Sequence, residues 1–427
     1  MANSTELKLI RAVSRWQIVG LAVNDVIGSG VYLLPAAAAA LLGQLSVLAV
    51  ALAGGAVALI VLCFAEASSY FDEPGGGYLY TREAFGSFIG FEVGWMTWLA
   101  RVASVASLSA GFALATTYFW PAAEAGWPRA IVITVPLIFF TWINVRGVRP
   151  GVAVSVGFAV AKTLPLVVFA LVGLFAVDWS RLAPSEPVAT GTLGEAALLL
   201  LFAYAGFENA PAAAGEYRNP KRDVPFALLA MIGLVTLLYV LVQVVALGTL
   251  PLPTLAESAT PLADSATVFL GAGAGTLMAV AAMISIEGNM GNTVLVGPRY
   301  LFALARDGYG PRSLASVHPE YRTPAVAIVT QSAFALVLAL SGSFVGLAML
   351  SIIARLATYV GTAAAIPRLR RLYGSRPDAI RLPGGFAIPL AAIALCIVFL
   401  ASTTVVNLLA GLAALVVGAV IYRFRRR

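Results

Sequence analysis

The 427-residue sequence carries few charges, with 27 Lys and Arg against 20 Asp and Glu, while 60% of its residues are hydrophobic. The mean hydropathy is +0.92. Because soluble domains are roughly one quarter charged, these values exclude a water-soluble enzyme. They also exclude a disordered chain, a disulfide scaffold and collagen. We predict an all-α protein that crosses the membrane many times, folded as a single transmembrane domain over 1–427, because a backbone exposed to lipid must satisfy its own hydrogen bonds.

Twelve apolar stretches are long enough to cross about 30 Å of hydrocarbon. They are 16–42, 46–70, 88–119, 130–145, 151–177, 194–214, 225–250, 266–304, 324–341, 343–366, 386–401 and 404–422. With the N-terminus inside, 22 of the 27 Lys and Arg lie on the cytoplasmic side, counting Arg299 at the projecting inner end of the eighth span, while two lie outside and three fall well within spans. Since Lys and Arg concentrate in cytoplasmic loops, we expect a multi-pass protein of the cell membrane with both termini in the cytoplasm. The net charge of +7 then reflects topology, and no nucleic-acid partner is expected.

Two spans contain residues that interrupt a helix near its middle. In the first span, residues 27–32 read IGSGVY, and two glycines around a serine weaken a helix. Close packing of helices through small residues is the alternative explanation. In the sixth span, residues 202–209 read FAYAGFEN and place Glu208 and Asn209 near the bilayer centre, where polar groups are costly and usually functional. A buried structural carboxylate is the alternative there.

Each interrupted span opens one half of five spans, and corresponding broken helices mark the binding site of many transporters. Amides at the start of the second half-helix would carry partial positive charge and hold a carboxylate. These amides belong to Ser29, Gly30 and Val31. Carbonyls freed in the sixth span would accept a protonated amine. They belong to Phe202, Ala203 and Ala205. The pair of breaks therefore predicts a zwitterionic ligand.

Four segments together resemble the amino acid–polyamine–organocation superfamily, and in particular its bacterial amino acid transporters. Residues 28–32, GSGVY, resemble its substrate motif, and 203–225, AYAGFENAPAAAGEYRNPKRDVP, resemble its sixth helix and following loop. Residues 74–80, PGGGYLY, resemble its loop between helices two and three, and 300–308, YLFALARDG, the end of its eighth helix. The matches lie between about residues 16 and 385 and are specific only as a set.

The resemblance implies a LeuT-type fold with discontinuous helices 1 and 6. The expected inverted repeats are about 16–177 and about 194–366, followed by two additional helices at about 386–422. It also implies secondary transport of amino acids or related amines by alternating access, without a cofactor or a metal. By position, the implied substrate contacts are Ile27, Ser29, Gly30, Val31, Ala203, Ala205 and Gly206, with Phe202 and Tyr204 as gating aromatics.

Lys162 lies in the middle of the fifth span. It resembles the helix-five lysine of sodium-independent family members, whose ammonium occupies the place of a sodium ion against helix 1. The eighth span offers Ser285 but no adjacent pair of hydroxyls of the kind sodium-coupled relatives use. We expect sodium independence, with transport driven by protons (symport) or by exchange (antiport). Whether Lys162 titrates during transport or only holds span one by fixed hydrogen bonds to its carbonyls remains open. Glu208 is a second candidate for a proton carrier.

Arg101, in the third span, has two interpretations. It could recognise an acidic or otherwise anionic substrate, since arginine prefers bidentate carboxylates. Alternatively it forms a fixed pair, which we favour because pairing offsets the desolvation of both charges. The candidate partners are Glu208, Glu287 and Asp25. Arg355 in the tenth span allows the same two interpretations.

Two further alternatives stay open. The glycines at 75–77 favour either a re-entrant turn that closes the inner pathway or a plain flexible turn. A receptor that keeps the fold without net transport is the alternative to a carrier, whereas an embedded enzyme is not expected, because the sole histidine, His318, lies in a loop. The predicted partners are a small-molecule substrate, membrane lipid and, in a symporter, protons. The sequence leaves the oligomeric state open.

Overall fold

The computed structural model describes residues 13–73, 75–147, 152–183, 192–374, 376 and 379–424, with the backbone alone at 152–159, 212–213 and 215–216. Several of the cytoplasmic charges counted above lie outside the described residues. They are Lys8, Arg11, Arg149 and 425–427.

Sixteen α-helices follow one another along the described chain. The first eight are α1 (Arg15–Val26), α2 (Ser29–Leu42), α3 (Ser46–Ser69), α4 (Gly76–Phe85), α5 (Ser87–Thr116), α6 (Gly126–Arg146), α7 (Val152–Gly173) and α8 (Thr192–Ala203). A 3₁₀ helix, Phe207–Glu216, separates these from the next eight. Those are α9 (Pro220–Thr249), α10 (Leu252–Glu257), α11 (Pro261–Leu270), α12 (Ala272–Arg306), α13 (Ala325–Ser341), α14 (Phe344–Tyr373), α15 (Ala387–Ala401) and α16 (Val405–Arg423).

Seven helical stretches of the described residues are long and apolar enough to cross a membrane, judged by length and composition. One of them, Ser29–Ser69, covers both α2 and α3, and three shorter apolar helices accompany the seven. Each predicted span coincides with a helix or, for the first, sixth and eighth spans, with two helical segments. The prediction of an all-α polytopic membrane protein is confirmed.

The ends of several helices follow from local sequence. The side chains of Ser343 and Thr404 accept hydrogen bonds from backbone amides three residues later and so begin α14 and α16. α6 ends at Gly147, whose φ of 78° is the left-handed conformation that glycine adopts without a steric penalty. These signals place helix boundaries more sharply than hydropathy does.

Several predicted boundaries differ from the structure, and α14, for example, continues to Tyr373, beyond the predicted end at 366. The eighth span was predicted to begin at 266, but Gly271, with φ of 85°, divides this stretch into α11 and α12. At the glycines 75–77, Gly75 and Gly76 have positive φ, as in a turn, but the turn leads directly into α4, which was not predicted and continues to Phe85. Closure of the inner pathway by this segment stays a prediction. Residue 74 lies outside the described residues.

α5 is the central helix and positions the candidate site. It packs against α12, α13 and α14 on different sides, and most of its residues are buried. α16 packs on its outer side, and only 6% of the apolar window of that helix is buried inside the protein. A polar side chain in the middle of α5 is therefore surrounded by protein, whereas the outer face of α16 is available to lipid.

Candidate functional site

The first break lies between α1 and α2. Ile27 leaves the helix with an extended backbone (φ −71°, ψ 99°), and Gly28 follows at φ −130° and ψ −136°. The first amides of α2 have no partner within their own helix, because the preceding turn that would supply one is missing. The break was predicted from residues 27–32, and the structure places it at 27 and 28.

Lys162 of α7 holds the end of α1. Its Nζ donates hydrogen bonds to the carbonyl oxygens of Asn24, at 2.5 Å, and of Ile27, at 2.6 Å. The side chain is only 1% exposed. The hydroxyl of Tyr32 in α2 donates to the backbone carbonyl of Lys162 at 2.8 Å, so the lysine connects both sides of the break.

α12 supplies the other donors to the first break. Asn289 Nδ2 donates to the carbonyl oxygen of Asp25 at 3.1 Å, and Asn292 Nδ2 donates to Asp25 Oδ1 at 2.5 Å. The hydroxyl of Ser285 lies 3.5 Å from the carbonyl oxygens of Ile27 and Gly28. Three polar residues of the eighth span thus support the end of α1: Ser285, Asn289 and Asn292.

The second break lies between α8 and the 3₁₀ helix. Gly206 has φ of 129°, which an L side chain rarely adopts, and a Cβ there would lie 2.5 Å from the carbonyl oxygen of Asp25. A Cβ on Gly30 would lie 2.8 Å from the Cα of Ala203. The two breaks therefore cross in backbone contact, and glycine is required at the crossing in both segments.

Backbone groups of the second break are largely paired. The hydroxyl of Tyr239 donates to the carbonyl oxygens of Ala203, at 3.0 Å, and Val26, at 3.3 Å. The amide of Ala205 donates to the carbonyl of Phe202 at 3.1 Å. Two of the three carbonyls predicted to hold an amine, Phe202 and Ala203, thus already accept one hydrogen bond each, which leaves each a second lone pair.

Glu208 gathers four donors beside the crossing. Its Oε2 accepts from the amide of Gly206 at 3.0 Å and from the hydroxyl of Tyr359 at 3.3 Å. Its Oε1 pairs with Arg101, at 3.1 Å, and with Arg355. Of the three partners predicted for Arg101, the structure selects Glu208. The side chains of this trio are 3–7% exposed, so the charges are removed from water.

The two arginines have further contacts. Arg101 also donates to the side-chain oxygen of Asn209. Arg355 donates to the hydroxyl of Ser104 at 2.7 Å and to that of Ser351 at 3.2 Å. Arg101 Nε is buried without a hydrogen-bond partner. One carboxylate thus faces two guanidinium groups, one of which keeps an unused donor.

A cavity of about 30 Å³ remains between the breaks. It has room for a water molecule or two but not for an amino acid, so this conformation is closed around its centre. Six predicted residues line the cavity: Ser29, Gly30, Arg101, Phe202, Ala205 and Gly206. The hydroxyl of Ser29 is buried there without a hydrogen-bond partner.

Other predicted site residues lie outside this lining. They are Ile27, Val31, Lys162, Ala203, Tyr204 and Glu208. The hydroxyl of Tyr204 donates to the carbonyl of Val50 at 3.0 Å, and its ring packs on Tyr239 at 5.1 Å, whereas Phe202 lies at the cavity and packs edge-to-face on Phe344 at 6.1 Å. The two aromatics predicted as gates therefore face different surroundings, and only Phe202 borders the cavity.

The sequence prediction missed Tyr239, Ser104 and Tyr359. Tyr239 and Tyr359 are each the single tyrosine of a predicted span, 225–250 and 343–366, and this isolation is the signal that could have singled them out. Ser104 carries no comparable signal, because other serines occur in the same span.

The segments that carried the family resemblance meet in pairs. Tyr78, from the segment 74–80, donates to Asp307 Oδ2 at 2.9 Å, and Asp307 lies in the segment 300–308. Burial and this hydrogen bond raise the pKa of Tyr78, in α4 between spans, to about 12, so its hydroxyl stays a donor at neutral pH. The segments 28–32 and 203–225 meet at the crossing of the breaks, where Gly30 lies against Ala203. Asp223 of the latter segment also pairs with Arg15 Nε, at the start of α1, at 2.9 Å.

Two broken helices that cross inside a membrane bundle, around a small polar cavity, are the architecture of a membrane transporter. The model of the amino acid permease family matches residues 13–427, and the chain belongs to this family.

Curated relatives cover nearly the whole chain. The branched-chain amino acid permease BcaP of Bacillus subtilis (strain 168) is 28% identical over 449 residues, which cover 99% of this chain and 94% of that protein. The serine/threonine exchanger SteT of the same organism is 31% identical, over 91% of this chain and 90% of that protein. A methylthioribose transporter, also from this strain, is 27% identical over 99% of this chain and 94% of that protein. The predicted family resemblance is confirmed, and the protein is a transporter and not an enzyme.

Proposed function

We propose that this protein is a secondary active transporter that moves amino acids or related amines across the cell membrane by alternating access. The observation that carries the proposal is the backbone crossing of the two breaks, with the first amides of α2 next to the cavity. A substrate carboxylate would bind the amides of Ser29, Gly30 and Val31, because helix N-termini attract anions. The substrate amine would use the second lone pairs of the carbonyls around Ala203.

The proposal includes sodium independence. A sodium site needs several oxygen ligands around an open position, and here the ammonium of Lys162 already lies against two carbonyls of α1. Transport is then driven by a proton gradient or by exchange against an internal substrate. Lys162 and Glu208 are the two candidates for a group that titrates during the cycle.

The substrate class follows from how the arginines are used. Because Arg101 is paired with Glu208, a neutral zwitterionic amino acid is the first choice. An acidic or other anionic substrate is the alternative, and the unused Nε donor of Arg101 favours it. The names of the relatives cover branched-chain amino acids, serine and threonine, and methylthioribose, so one family accommodates different side groups.

The proposed topology places both termini in the cytoplasm. It is supported by the distribution of Lys and Arg, since 22 of 27 would face that side. The proposed organisation is two repeats of five spans, about 16–177 and about 194–366, with two additional helices at about 386–422. In its support, the two breaks fall in the first span of each half.

Exchange in proteoliposomes tests this function. Purified protein is reconstituted into liposomes preloaded with a mixture of unlabelled amino acids, and uptake of labelled leucine, serine, glutamate and an uncharged sugar is followed. We expect accumulation of at least one amino acid, unchanged when choline replaces sodium. Binding of a substrate without any flux would contradict the proposal and favour a receptor.

Two variations sharpen the result. An imposed pH gradient that drives uptake into empty liposomes indicates proton symport, whereas a requirement for internal substrate indicates exchange. Competition by glutamate and aspartate, compared with glutamine and asparagine, separates anionic from neutral substrates. Preferential inhibition by the acidic pair, lost in Arg101→Met, would favour the anionic alternative.

A further inference from the structure

A second and much larger cavity lies away from the crossing of the breaks. Its volume is about 860 Å³, within the range of small-molecule sites. It is bordered by the end of α5, by α6 and by the middle of α12, with Lys162 of α7 at one wall. Most of its surface is apolar, from side chains such as Phe112, Phe140, Met283 and Ile284.

Glu287 is a carboxylate in this apolar cavity. Its Oε1 is buried without a hydrogen-bond partner, and within the described part of the chain no Lys or Arg lies within ion-pair distance of it. Lys162, the cationic residue of the lining, uses its ammonium on the carbonyls of Asn24 and Ile27. An unpaired carboxylate in such surroundings is costly, and a cationic ligand group would offset that cost.

We propose that this cavity binds an amphiphilic amine, whose ammonium pairs with Glu287 and whose hydrocarbon body fills the apolar part. Charge complementarity selects this occupant over a lipid acyl chain, which would leave the carboxylate unpaired. An anionic amphiphile is disfavoured, because it would place a second negative charge beside Glu287.

Occupancy of the cavity affects the first break. Asn24, whose carbonyl accepts from Lys162, and Asn292, which donates to Asp25, both line the cavity. A bound amphiphile would therefore pack against the residues that hold the end of α1. We expect it to slow transport without competing with substrate at the crossing of the breaks.

Binding is tested directly with a photoreactive dodecylamine on the full protein in lipid nanodiscs. Irradiation followed by peptide mass spectrometry is expected to place crosslinks on α6 and the middle of α12. Excess dodecylamine should remove them and excess dodecanol should not. Glu287→Gln is expected to reduce crosslinking there about tenfold. Equal labelling of the exposed face of α16, insensitive to Glu287→Gln, would mean membrane partition alone and would overturn the proposal.

A matched pair of tryptophan variants provides a second test. Ile284 lines the cavity, whereas Leu277 lies on the same helix, is 63% exposed and does not line it. Ile284→Trp places a bulkier side chain in the cavity beside Glu287 and is expected to reduce crosslinking as strongly as Glu287→Gln, and Leu277→Trp is expected to leave it unchanged. Equal effects of the two variants would contradict a site in this cavity.

Transport gives the functional readout. In exchange-competent proteoliposomes, dodecylamine is expected to lower the maximal rate without changing the substrate concentration for half-maximal rate, and Glu287→Gln should raise the inhibitory concentration about tenfold. Inhibition relieved by high substrate would place the amine at the main site instead. Crosslinking in the cavity without any exchange would uphold the binding site and reject the transport function, so the two failures are distinguishable.

Discussion

The two broken helices interrupt their spans in similar ways but leave different groups available. At the first break, donors from α7 and α12 bind the freed carbonyls, and the amides of α2 stay beside the cavity. At the second break, Glu208 binds the amide of Gly206 from within the same segment, and Tyr239 binds the carbonyl of Ala203. A break therefore does not by itself make a binding site; what matters is which backbone groups the surrounding helices leave unbound.

The largest effect is expected from a side chain at the crossing. Gly206→Ala places a Cβ 2.5 Å from a backbone oxygen and adds positive-φ strain, so both breaks must shift. We expect more than tenfold loss of exchange and a lower yield of folded protein by size-exclusion chromatography. Gly55→Ala is the control, because its Cβ meets nothing within 4 Å. Full exchange by Gly206→Ala would show that the crossing is not rigid.

Removal of the carboxylate at the second break is expected to be nearly as severe. Glu208→Gln leaves Arg101 and Arg355 buried without their ion-pair partner, and loss of one partner of a buried pair costs about 3–5 kcal/mol. A clear fall in the thermal unfolding temperature should follow. Glu195→Gln, at an exposed position of α8, should leave it unchanged. A stable Glu208→Gln protein would mean that the arginines do not depend on this carboxylate.

Lys162→Met tests the donors of the first break. The variant keeps the length of the side chain but leaves the carbonyls of Asn24 and Ile27 without their ammonium donor, so the end of α1 is held less firmly. We expect roughly tenfold slower exchange, measured in proteoliposomes from pH 5 to 8. Loss of the pH dependence together with the rate would favour a titrating lysine. Retention of the full pH dependence would contradict that role and leave a structural tether.

A single neutral hydrogen-bond donor provides a smaller test of the second break. Tyr239→Phe removes the donor to the carbonyls of Ala203 and Val26, which costs about 1–3 kcal/mol for a buried group left unsatisfied. The unfolding temperature should fall modestly and exchange should decrease by a few fold. Tyr118→Phe, whose hydroxyl has only a long 3.5 Å contact at an exposed position, serves as the control. Identical behaviour of the two variants would mean that the hydroxyl of Tyr239 does not stabilise the breaks.

The smallest effect is expected at the link between the starts of α1 and α9. Arg15 is 46% exposed in its pair with Asp223, and such pairs contribute about 0–1 kcal/mol. Arg15→Gln should therefore change the unfolding temperature and the exchange rate only slightly. A loss as large as that of Glu208→Gln would mean that this peripheral link, rather than the crossing, controls both breaks.

Local pattern predicted much of this arrangement. The breaks followed from glycines and polar residues within apolar runs. Ser285, Asn289 and Asn292 are spaced so that they share one face of a helix, and that face meets the first break. The contact of Lys162 with carbonyls of span one was implied by the family resemblance.

Other features depend on packing that local pattern does not contain. The joint pairing of Arg101 and Arg355 with Glu208 requires the side-chain directions of α5, α14 and the second break at once. α4 was missed because three glycines suggest a turn, whereas the contact of Tyr78 with Asp307 accompanies a helix that starts within that glycine run. Long-range contacts decided both cases.

The size of the central cavity has a thermodynamic consequence. A substrate that binds between the breaks, as proposed above, does not fit in about 30 Å³ and so requires a more open form of the molecule. The measured dissociation constant is then the intrinsic constant divided by the fraction of molecules in that form. A substitution far from the ligand that favours opening would tighten apparent binding without adding a contact, so affinity in this protein is in part a property of its closed state.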